Sequence, residues 1–109
     1  MKFEEAENKA SAMIKALGAG WVMDLKDTHG WRCQVKNGPC TVTYNENSVD
    51  YNAFINIGPG FSGYAVLPVM ALDVAAGRMD TYLNRITAER EAVAKIIAGT
   101  FHNVPKEKR

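Results

Sequence analysis

The apolar residues of this chain change period twice. Over residues 3–17, Phe3, Ala6, Ala10, Met13, Ile14 and Leu17 recur at helical spacing. Glu4, Glu5, Lys9 and Lys15 fall elsewhere on the wheel, and the acids sit in the first turn, where the helix dipole favours them. Gly18 and Gly20 supply a stop. The spacing predicts an N-terminal helix over 3–17.

From residue 21 the period falls to two. In "WVMDLK", Trp21, Met23 and Leu25 alternate with Val22, Asp24 and Lys26. In "WRCQVK", Trp31, Cys33 and Val35 alternate with Arg32, Gln34 and Lys36. In "CTVTY", Cys40, Val42 and Tyr44 alternate with Thr41 and Thr43. In "YNAFINI", Tyr51, Ala53, Ile55 and Ile57 alternate with Asn52, Phe54 and Asn56. Such segments predict strands with one apolar and one mostly polar face, as in an antiparallel sheet covered on one side. The turns agree: "KDTHG" and "NENSVD" separate the outer pairs, and "NGP" at 37–39 is a strong hairpin signal.

Beyond residue 57 the pattern is less regular. "GYAVLP" is a candidate fifth strand. Pro68 suits the first turn of a short helix, and Asp80 suits the cap of a final one over 81–99. The stripe of that helix is Tyr82, Leu83, Ile86, Val93, Ile96 and Ile97, with Gly99 at its end. The alternative is one long helix through Gly77, at a cost of about 1 kcal/mol. The end, "VPKEKR", reads as a flexible polar tail over 104–109, after a single domain over 1–103.

The expected fold is α+β, a two-layer sandwich. An antiparallel meander of four strands, with the candidate fifth, is covered on one face by the N-terminal helix and one or two C-terminal helices. Trp21, Trp31, Val35, Val42, Ile55 and Ile57 are expected to meet Met13, Leu17, Ile86, Val93 and Ile97 in the core.

Composition narrows function mainly by exclusion. The 109 residues suit one domain, and 47% hydrophobic with 23% charged residues is ordinary for a folded protein. Thirteen basic against twelve acidic residues give a net charge of +1, so no global field draws the chain to nucleic acid or an anionic membrane. The opening residues are too charged for a secretory signal, and the apolar run at 64–72 is short and broken by Pro68. The expected location is cytoplasmic, with no membrane partner.

Residues 57–63, "IGPGFSG", contain the spacing G-x-G-x-x-G. In a dinucleotide site those glycines make a turn, admit the pyrophosphate and let a following helix pack on the sheet. Here Pro59 removes an N–H from the cradle, and "YAVLP" follows where that helix should begin. No Gly-Lys-Ser/Thr is present for a phosphate loop of the Walker type. The expectation is a turn at a sheet edge, with Phe61 and Tyr64 as candidate contact residues.

His29, Cys33, Cys40 and His102 are all the histidines and cysteines, and their spacing lacks the close pairs of a zinc site. Cys33 and Cys40 read as inward-facing small hydrophobes, although a disulfide across their hairpin is geometrically open. No metal, cofactor or catalytic residue is expected.

Three readings of function follow. The leading one is a small non-catalytic protein-binding module of adaptor or inhibitor type, including those of mobile elements, using Phe61, Tyr64 and Phe54. Nucleic acid is the alternative partner, held by Lys26, Arg32 and Lys36 on the open sheet face. In outline the helix–meander–helix order is similar to the double-stranded RNA-binding fold, but "DTYLNRITAERE" lacks its basic cluster. The third is a ligand carrier or small enzyme using Asp27, His29 and Tyr44. The open sheet edges and Phe54 also leave homodimerisation open.

Overall fold

A computed structural model of the chain describes residues 1–26 and 30–102, the side chains of Phe101 and His102 excepted. In order, the elements are α1 (Phe3–Leu17), β1 (Val22–Met23), β2 (Gln34–Asn37), β3 (Cys40–Asn45), β4 (Asp50–Ile55), β5 (Phe61–Ala65) and α2 (Pro68–His102). The strands form one antiparallel sheet in chain order, β1-β2-β3-β4-β5. The fold is the expected α+β arrangement, with a fifth strand present that begins earlier than the candidate segment, at Phe61, and ends at Ala65. Contacts divide the chain into residues 1–79, which hold the sheet, and residues from 80 onward.

Within the first unit, α1 runs between the expected limits. Gly18 adopts a φ of 105°, open to glycine without strain, and its N–H closes the helix on the Ile14 carbonyl at 2.9 Å. Ala6, Ala10 and Met13 form the buried face of α1. They share the core with Cys33, Val35, Val42, Tyr51, Ala53 and Ile55 of the sheet and with Ala71 and Ala75 of α2. Each large apolar side chain in that set adds about 1.5–3 kcal/mol by leaving water.

Register sets how the layers meet. Val35 pairs with Val42, Val42 with Ala53, and Ala53 with Gly63, so these four share the core face in one row. Side chains shrink along it from valine to glycine. At its small end a Cβ on Gly63 would stand 2.6 Å from both the Ala71 carbonyl oxygen and the Ala75 nitrogen. The backbone of α2 therefore rests directly on β5. The third glycine of "IGPGFSG" does serve helix–sheet packing, here in an antiparallel sheet.

Several sequence expectations are corrected. β1 spans two residues, not six. It is the edge strand, and beyond Met23, among the described residues, its pairing continues as the Asp24 N–H bond to the Gln34 carbonyl at 2.9 Å. Ile57 is an exposed turn residue, not core. β4 ends at Ile55, and the Ile57 carbonyl accepts the Gly60 N–H at 3.1 Å in a turn that uses φ of 60° at Gly58 and 84° at Gly60. Of the one or two C-terminal helices expected, the single long helix is the one present, of 35 residues. Asp80 and Gly99 lie inside it rather than at its ends, and Gly77 is passed without a break. Ile86, Val93 and Ile97 are exposed rather than core.

Candidate functional site

Helices cover one face of the sheet, and the other is open. Alternation places two cross-strand rows on that open face. The first is Gln34, Thr43, Asn52 and Tyr64, paired in sequence across β2 to β5. Polar side chains link it into a chain: Thr43 Oγ1 donates to Gln34 Oε1 at 2.9 Å, and Gln34 Nε2 donates to Asp24 Oδ2 at 2.7 Å. Lys26 Nζ lies 3.9 Å from the same Asp24 oxygen. Asn52 Oδ1 is buried and has no hydrogen-bond partner among the described residues.

The second row is Val22, Lys36, Thr41, Phe54 and Ser62. Phe54 reaches over the hairpin turn, where a Cβ on Gly60 would lie 2.7 Å from its Cζ. The missing side chain of Gly60 makes room for that ring, which stays exposed on its outer face.

A cleft of about 480 Å³ opens at one end of the first row, and Arg32, Thr43, Asn45, Asn52 and Tyr64 are among its lining residues. Tyr44 lines it too, from the strand's other side. That ring lies 5.2 Å from Tyr51, and Lys9 Nζ sits 4.2 Å above its centre. A hydrogen bond with Tyr51 raises the Lys9 pKa above its ordinary value, against the opposing pull of burial.

The structure thus gathers most of the proposed contact residues on one face, but not all. Phe54 and Tyr64 share the open face with Lys36, and Arg32 and Tyr64 both line the cleft. Lys26 is turned to Asp24. Phe61 is separated from them: it pairs with Ile55 and packs against the core. Asp27 and His29 lie outside the described residues, as do the side chain of His102 and the tail at 104–109.

The cysteines are free. Cys40 pairs with Asn37, whereas the Cys33 carbonyl accepts the Tyr44 N–H, four positions along β3. That offset is roughly 13 Å at about 3.3 Å per residue, so the disulfide left open by the hairpin does not fit. Cys33 is 1% exposed, its Sγ donating to Met13 Sδ at 3.3 Å. Burial pushes its thiol pKa up to about 11, with a smaller opposing effect from the Lys9 charge, so at neutral pH it is a poor nucleophile. Among the described residues, no three His, Cys, Asp or Glu side chains converge as metal ligands.

One surface feature was missed in the sequence. At the junction of β5 and α2, Tyr64 (57% exposed), Val66 (70%), Leu67 (55%), Val69 (44%) and Met70 (49%) all present apolar area to solvent. The signal was there in "YAVLPVM", an apolar run too long for one buried face of a short strand. No helix among the described residues is long and apolar enough to cross a membrane. No protein-family model matches the chain, and neither curated proteins nor solved structures give a match.

Proposed function

We propose that the chain is a non-catalytic protein-binding module, of adaptor or inhibitor type. Its contact surface is the apolar run Tyr64, Val66, Leu67, Val69 and Met70, extended on the open sheet face by Phe54. The exposure of five large apolar side chains within seven residues carries this reading. Surfaces of this kind concentrate at sites where a partner removes them from water, and aromatic anchors dominate the energy there. Phe61 leaves the proposed surface because it belongs to the core side of β5.

The test is capture of a stoichiometric partner from source-cell lysate after nuclease treatment, repeated with Tyr64→Ser and Leu67→Asp. Both positions are exposed, so folding should survive, as checked by far-UV circular dichroism. Loss of the partner in both variants supports the surface; undiminished capture sinks it.

Placement of Arg32 and Lys36 on the face that carries Phe54 and Tyr64 supports a second reading, a platform for single-stranded nucleic acid. Its mark is a salt-dependent mobility shift lost in Arg32→Ala. No shift at low salt counts against it.

A further inference from the structure

Asn52 belongs to β4, inside the sheet, and lines the cleft. Its Oδ1 is buried and unpartnered among the described residues. An unmet buried acceptor is costly, and folded proteins keep few of them. Its row does not relieve it, because Thr43 donates to Gln34 and Gln34 donates to Asp24. Two further groups line the same cleft. Arg32 is exposed and forms no ion pair among the described residues. Tyr64 pairs with Asn52 across β4 and β5, and its ring is largely exposed. The acid on the wall, Glu46, is held 3.4 Å from the Met1 amine. At about 480 Å³ the cleft has the size of a small-molecule site.

We infer that this cleft holds one nucleotide, with its base edge on the Asn52 carboxamide, its ring on Tyr64 and its phosphate on Arg32. A carboxamide sets an acceptor beside a donor, and its terminal torsion is broad, so a turn about that bond brings both to the cleft. The matching ligand edge is a donor beside an acceptor on a planar ring, which every nucleobase presents. An exposed tyrosine ring takes the face of such a base by stacking. A guanidinium takes phosphate through its planar fork. A lone carboxylate would satisfy Arg32 and leave the Asn52 oxygen without a donor. An uncharged lactam would satisfy Asn52 and leave Arg32 unused. The spacing suits a ligand with both groups. The Tyr44 N–H bond to the Cys33 carbonyl carries the β2 pairing back toward Arg32. Arg32 is two positions along β2 from Gln34, and Asn52 is two strands across from Gln34. Their backbones are then roughly 12 Å apart, a gap for a base, a sugar and a phosphate between the two side chains. A free nucleotide and an unpaired nucleotide in a single strand share this chemistry, and the second source rests on the nucleic-acid reading above.

Tyr64 also borders the apolar surface at the β5–α2 junction, so the test leaves it unchanged. Binding of the four ribonucleoside monophosphates, and of the four homopolymeric single-stranded RNAs, is titrated at low salt. One base should bind about tenfold more tightly than the weakest, the scale of a carboxamide-to-base contact. Asn52→Ala takes away an unmet acceptor, so the fold should survive, as checked by the urea midpoint, and the four bases should become equal. Arg32→Ala should weaken all four alike. Preference among the monophosphates supports the free nucleotide as the source, and preference among the strands alone supports the strand. Equal binding of all four bases by the parent chain overturns the inference, as does a preference that survives in Asn52→Ala. In both cases a salt-dependent shift of the strands leaves the nucleic-acid reading standing. Absence of binding by monophosphates and strands alike overturns both.

Discussion

Gly63 of β5 lies under Ala75 of α2 so closely that a methyl group on the glycine would meet the helix backbone at 2.6 Å. Helix and sheet are joined there by main chain on main chain, and the neighbouring Ala71 and Ala75 are fully buried. Backbone atoms cannot swing aside as a long side chain can. Gly63→Ala is therefore expected to destabilise the fold by about 1–3 kcal/mol, the range of an overpacked core. Gly77 is the contrasting case, helical with nothing near its missing Cβ. Gly77→Ala should stabilise by about 0.5–1 kcal/mol through helix propensity. Urea unfolding of both variants checks the pair, and equal effects would remove the packing argument.

Alkaline pH should weaken the fold through Cys33. Its pKa is about 11 in the folded chain against 9.0 for the free thiol. The folded state thus holds its proton where the unfolded state has lost it. That contribution is whole below pH 9 and drains away as pH rises toward 11, by about 2–3 kcal/mol at most. Lys9, also raised, loses its share in the same direction at higher pH still. Stability measured at pH 8, 9, 10 and 11 should fall more steeply in the parent chain than in Cys33→Ala.

Thiol reagents should separate the two cysteines. Cys40 is partly exposed and Cys33 is buried against Met13. At neutral pH one equivalent should react quickly, at Cys40, and the second only on unfolding. Peptide mapping after a short alkylation reads this out.

Gln34 bridges two strands, accepting from Thr43 and donating to Asp24. Gln34→Ala removes both bonds in a partly buried row and should cost about 1–2 kcal/mol by unfolding titration. Thr43→Val removes only the first and should cost less.

How far the amino-acid pattern reached can be seen at particular positions. Alternation in "CTVTY" and "YNAFINI" placed Val42, Tyr51, Ala53 and Ile55 inward correctly, because β3 and β4 are central strands with a neighbour on each side. It failed at β1, whose length depends on edge pairing rather than on its own residues. Phe61 and Tyr64 looked like partners on one loop. Once Phe61 is known to begin a strand, their odd spacing sends them to opposite faces, and only the Ile55 register reveals that. Gly77 and Gly99 looked like helix ends because a propensity cost of about 1 kcal/mol is a weak brake on a long helix. Of the open face, Phe54, Arg32 and Lys36 could be read in advance; the place of Tyr64 on it, and the cleft that Arg32 and Tyr64 both line, needed the pairing of the strands.

The sheet's two borders carry a consequence for the chain in a crowded solution. A bare strand border is a template on which further chains can be added without limit. Here β1 offers only two residues of ladder. On β5, the Arg78 guanidinium holds the Ser62 carbonyl at 2.8 Å, from a helix fixed in place by Gly63. One arginine thus blunts the longer border with a positive charge, and fibrous growth from β5 should begin where that bond is broken.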